Sequence, residues 1–118
     1  MSSRRIIGSA VRILSLTLPL LYPVLVEASD QNGKVNALEI RASDGLIFFV
    51  LDGNRSAKPS CATRDYWMIR DEKSNAGKQQ FAALLSAKIS GRAILIRGSG
   101  TCARWGDGED IESVVVVD

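Results

Sequence analysis

The 118-residue sequence contains no histidine. Without imidazole there is no histidine base to activate a serine or cysteine nucleophile. Cysteine is scarce: Cys61 and Cys102 are a lone pair. Once joined, they are neither thiolate nucleophiles nor zinc ligands. A phosphate loop is missing, because Gly77-Lys78 lacks the upstream glycine and the following serine or threonine. Carboxylates remain for catalysis. Asp71 and Glu72 are adjacent, and Glu109, Asp110 and Glu112 lie close together. Acids clustered on loops are ordinarily just solvated, so no catalytic residue is predicted. Asp107-Gly108-Glu109-Asp110 lacks the 12-residue spacing of a calcium loop, so no metal or cofactor is predicted either. Together these absences point away from an enzyme and toward a binding module.

What is present begins with an export signal. Arg4, Arg5 and Arg12 supply a positive n-region, and an apolar stretch from Ile13 to Val26 follows, interrupted by Pro19 and Pro23. Val26-Glu27-Ala28 fits the small-x-small rule, which predicts cleavage after Ala28. The alternative, a membrane anchor, needs an apolar run of ~20 residues without prolines, which this stretch is not. No cysteine follows the cut, which argues against a lipid anchor. The sequence therefore predicts a secreted or periplasmic protein with a signal peptide over 1–28 and one domain over 29–118.

Removing the leader changes the charge. It carries three arginines and one glutamate, which leaves 12 of the 15 basic and 12 of the 13 acidic residues. A mature chain of zero formal charge has no long-range field to gather polyanions, so nucleic acid is not a predicted partner. The mature chain is also too short for two domains. Two cysteines in an exported chain are expected to pair, and closing a loop of this size contributes about 4 kcal/mol through chain entropy.

The mature chain is predicted to start loosely over Ser29–Gly33. A strand follows over Lys34–Arg41, then a turn at Ala42–Gly45 and a second strand over Leu46–Leu51, apolar enough to be buried on both sides. Asp52–Ser60 is a loop rich in turn formers, and Tyr66–Ile69 is a short third strand. Ser74 or Asn75 caps a helix over Ala76–Ser90, with Phe81, Leu84, Leu85 and Ile89 as its apolar face and Gly91 as its stop. Ala93–Arg97 is a fourth strand and Gly98–Thr101 a turn. Trp105–Asp110 is a polar, acidic loop, and Ile111–Val117 is a fifth strand.

The order β-β-β-α-β-β is that of a five-stranded OB-type barrel, mainly β with one helix and one disulfide. An open α+β sheet with the helix on one face is the rival. Closure would protect the edge of the valine-rich last strand. As neighbours on a strand, Tyr66 and Trp67 face opposite ways, one into the core and one to the surface. Trp105 either packs over the disulfide or offers a stacking platform to a sugar ring or partner side chain.

Several segments carry a family resemblance: Cys61–Ile69 (CATRDYWMI), Ala76–Gln80 (AGKQQ), Leu84–Ala87 (LLSA) and Gly100–Ile111 (GTCARWGDGEDI). They resemble a group of small exported bacterial proteins described as similar to the B subunit of subtilase cytotoxin, over most of residues 34–117. The resemblance implies an OB barrel that assembles as a ring of five and recognises glycans. Toxin B subunits of this kind contact sialylated sugars partly through serine and tyrosine near the first strand. Asp30–Val35 here offers Asp30, Gln31 and Asn32 and no such pair, so no sugar contact is carried over.

Two functions are expected from this reading. One is a carbohydrate-binding, toxin-B-subunit-like module whose ligand residues are Asn54, Arg55, Tyr66 and Trp105. The other is a stand-alone envelope protein that binds another protein, of the envelope or of a host, or acts as an inhibitor. Single-stranded nucleic-acid binding, common among OB barrels, fits export and zero charge poorly.

Overall fold

β1 spans Asp30–Ile40 and serves two partners. The computed structural model describes residues 8, 12–21 and 28–118. The first half of β1, Asp30–Lys34, pairs antiparallel with β4 (Ala93–Gly98). The second half pairs antiparallel with β2 (Ile47–Leu51), and the register shifts between Val35 and Ala37, where β1 passes from one partner to the other. Such an irregularity bends a strand, which lets one strand belong to both sides of a barrel. β3 is short, Trp67–Met68, and α1 runs Asn75–Ser90. β5 covers Glu109–Val116. The strands close in the order β1-β2-β3-β5-β4, with β3 and β5 parallel and every other pair antiparallel. This is the closed five-stranded OB-type barrel that the order of elements predicts, rather than an open sheet.

Alternation in the strands fills the interior. Ile47, Phe49 and Leu51 of β2 and Ile94 and Ile96 of β4 point inward with Val35, Trp67, Ile69 and Ile111. Leu84 of α1 joins the same cluster and is fully buried. Trp67 takes the inward position and Tyr66 is half-buried. The Cys61–Cys102 disulfide forms, tying the β2–β3 loop to the β4–β5 loop.

Four sequence expectations change. The loose start over Ser29–Gly33 is instead ordered. Ser29 and Gln31 are buried, and the strand begins at Asp30 because β4 supplies its hydrogen bonds. The third strand is two residues rather than four, although Ile69 N still donates to Ile47 O at 3.1 Å. The acidic loop stops earlier than expected, since Glu109 and Asp110 lie inside β5 and are fully buried.

The helix face is also rotated. Leu84 is buried and Phe81 half-buried, as expected, but Ile89 is 78% exposed and Leu85 is exposed. Gly77 and Ala87 are buried in their place. A Cβ at Gly77 would overlap the Asp71 carbonyl, so only glycine lets the first helical turn approach so closely. That approach turns the Gly77–Leu84–Ala87 side toward the barrel and sends Leu85 and Ile89 outward. Ser74 is the N-cap, its Oγ accepting from Gly77 N at 3.0 Å, and Gly91 ends the helix in the left-handed region.

Within the expected leader, residues 12–21 form no helix or strand, and Ile13, Leu14, Leu16, Leu18, Leu20 and Leu21 are exposed. Arg4, Arg5, Pro23, Val26 and Glu27 lie outside the described residues. Among those described, no helix is long and apolar enough to cross a membrane.

Candidate functional site

In an OB-type barrel the β1–β2 and β4–β5 loops flank the usual ligand face. Here both loops are shaped by buried or shared acids. Asp110 organises the β4–β5 loop from inside. Its Oδ2 accepts from Ala103 N at 2.7 Å and from Thr101 Oγ1 at 3.1 Å, and its Oδ1 accepts from Arg104 N at 3.0 Å. With its backbone fixed, Arg104 reaches across to Glu72, where Nε and Nη2 donate to the two carboxylate oxygens at 3.0 and 2.9 Å. Arg104 Nη2 also donates to Asp44 O in the β1–β2 turn, at 3.2 Å. Arg41 closes the turn through a two-point pair with Asp44, at 2.9 and 2.6 Å.

These pairs hold Trp105 in place. The Arg41 guanidinium carbon lies 4.4 Å from the Trp105 ring centroid, and Trp105 is 42% exposed. Just before β3, the Tyr66 ring packs 5.5 Å from Phe48, and its hydroxyl donates to Asp107 on the β4–β5 loop. A Cβ at Gly108 would run into the Tyr66 ring, so the loop lies directly on that tyrosine.

The charges are tuned accordingly. The hydrogen bond from Arg41 holds the Asp44 carboxyl well below the usual range. Arg104 lowers Glu72 in the same way, and Asp44 and Glu72 in turn raise Arg41 and Arg104 respectively. Burial, and then the hydrogen bond to Asp107, pushes the Tyr66 hydroxyl up to about 12.

Asn54 and Arg55 stand elsewhere. Together with Gln31, Leu51, Lys58 and Asp65 they line a cleft of about 340 Å³. Asn54 is exposed there, but the Arg55 side chain is only 7% exposed. Its guanidinium carbon sits 3.6 Å from the Trp67 ring centroid, and Nη2 lies 3.4 Å from Glu109 Oε1. Burial lowers its pKa. Gln31 completes this buried polar layer: Oε1 accepts from Trp67 Nε1 at 2.8 Å and Nε2 donates to Gly53 O at 2.8 Å. At the mouth of the cleft, Lys58 and Asp65 pair at 2.7 Å.

The four residues singled out from the sequence thus divide. Trp105 lies on the β4–β5 loop and Tyr66, just before β3, packs against the same loop through Asp107 and Gly108, whereas Asn54 and Arg55 belong to the cleft, with Arg55 turned inward as a structural cation. Sequence reasoning missed Arg41, Asp44, Glu72 and Arg104, the pairs that set Trp105. The Arg104-Trp105 neighbourhood was the one local signal; the others lie on separate elements. Among the described residues no group of acids and cysteines is placed to hold a metal ion. Compared with known proteins, the chain matches no family model, no curated protein and no solved structure.

Proposed function

We propose that the chain is an exported, non-catalytic binding module that takes a glycan against Trp105. The observation that carries the reading is the half-open Trp105 indole, fixed by Arg41 on the loop pair that flanks an OB-type ligand face. A sugar presents an apolar ring face to stack on an aromatic and hydroxyls to bind charged groups. Arg41, which lies over the indole with Asp44 paired to it, and Asp107 on the same loop as Trp105 supply charged groups for the hydroxyls. The resemblance of residues 61–69 and 100–111 to toxin-B-subunit-like proteins supports the same reading and adds assembly as a ring of five. The disulfide fits an oxidising compartment, secreted or periplasmic. A glycan array probed with the processed protein tests it, and Trp105→Ala is the control that must lose the signal.

The exposed pair Leu85 and Ile89 on α1 favours a second reading, a stand-alone protein-binding module. Native mass spectrometry separates the two. A ring of five supports the first, and a strict monomer that captures a protein from envelope extract supports the second.

A further inference from the structure

The chain passes from solvent to interior across one peptide bond, the bond at which cleavage is expected. Ala28 is exposed and Ser29 is 0% exposed. Ser29 is held on every polar atom. Its carbonyl accepts from Gly98 N at 2.8 Å and its hydroxyl accepts from Arg55 Nε at 2.9 Å. Its backbone nitrogen lies 3.3 Å from both oxygens of Glu109, and its hydroxyl donates to the same carboxylate at 2.7 Å.

Glu109 is fully buried, and the cation facing it is Arg55, 3.4 Å from Oε1. Among the described residues Oε2 bonds Ser29 alone, through nitrogen and hydroxyl. A Cβ at Gly98 would overlap this carboxylate, so the space beside β4 is kept for Glu109. A buried carboxylate that shares one arginine is well served by a second charge-assisted donor.

We propose that export processing supplies that donor: the α-ammonium of Ser29, released by cleavage after Ala28, docks on Glu109 as a buried ion pair that anchors the start of β1. The inference rests on the export reading above. Hydrolysis of the Ala28–Ser29 bond consumes one water. It leaves a carboxylate on Ala28 and an amine on Ser29, which takes up a proton. One donor becomes three, at a nitrogen already within reach of both Glu109 oxygens. Arg55 is the like charge nearby; it is stacked on Trp67 and faces Asp65 on its other side, which offsets the repulsion. In the unprocessed chain the same nitrogen is a neutral amide, so processing completes the charge balance of the barrel.

The full-length chain is expressed in an exporting host, and the recovered protein is read by intact mass and N-terminal sequencing. Its α-amine is then acylated with a limiting amine reagent, folded and in urea. The expected result is a chain that begins at Ser29. Its α-amine reacts at least about ten-fold more slowly folded than unfolded, as for a group reached through local opening. Glu109→Gln and Gly98→Ala each speed the folded reaction. Should either variant fail to fold, the folded-to-unfolded ratio of the unaltered chain still decides. A chain retained with Met1 overturns the export reading and this inference together. A chain exported but cut elsewhere overturns the inference alone, as does a Ser29 amine that reacts equally fast folded and unfolded.

Discussion

Arg41 lies over Trp105, with its guanidinium carbon 4.4 Å from the ring centroid, and so joins the β1–β2 turn to the β4–β5 loop. Asp44 fixes the arginine and Asp110 fixes the loop that carries the indole. The proposed ligand face is therefore pre-set by protein contacts. Arg41→Ala is expected to free the indole, red-shifting and quenching the Trp105 contribution to fluorescence. Trp67 provides a constant buried background. Global unfolding should move little, since the pair is exposed.

Arg55→Ala should be far more damaging. It strips the buried Glu109 of its side-chain cation and uncovers the Trp67 face. Breaking a buried pair by removing one partner costs about 3 kcal/mol or more. Arg55→Lys should recover less than half of that, because a lysine neither stacks flat on the indole nor keeps the Nε contact to Ser29. Urea unfolding midpoints of the three proteins check the order.

Replacing both cysteines by serine should lower stability by about 4 kcal/mol, the chain-entropy value for a closed loop of this size. The unaltered protein should show no titratable thiol under native or denaturing conditions.

The pH limits follow from the shifted groups. Asp44 and Glu72 titrate below their ordinary values of 3.8 and 4.5, held down by Arg41 and Arg104. Depressed acids stabilise the fold above their unfolded pKa and lose that contribution as pH falls, so stability should decline from about pH 4.5 downward. Tyr66 behaves in the opposite sense. Its pKa rises from 10.0 to about 12, so its contribution is complete below pH 10 and is lost as pH climbs through 12. If the leader is removed as proposed, Tyr22 goes with it and Tyr66 is the one tyrosine left. Absorbance of the phenolate should therefore show one late midpoint near 12, and Tyr66→Phe should remove it.

Much of the architecture was legible because it is written locally. The apolar run around Ile47, Phe49 and Leu51, the Ser74 cap and the Gly91 stop all act within a few residues, although the sequence predicts burial of both faces of that strand and the structure leaves Phe48 and Val50 half-buried. Cysteine pairing followed from the export reading. What was hidden depends on partners distant in sequence. Gln31 looks like a loop residue until Trp67 offers it an N–H, and Glu109 looks solvated until Ser29 and Arg55 surround it. The helix face was misjudged because Gly77, which has no side chain to score, decides which side meets the barrel. Likewise Trp105 stood out by residue type, while the arginine that fixes it lies on another element.

Glycan binding by the processed protein, compared with Trp105→Ala, tests the central claim most directly. The account predicts that the unaltered protein retains a defined glycan class on an array and that Trp105→Ala loses at least about ten-fold in affinity, as expected for removal of a stacking aromatic at a binding hot spot. The circular dichroism of the variant should be unchanged. An array without signal at high protein concentration, or binding that survives Trp105→Ala, would contradict it.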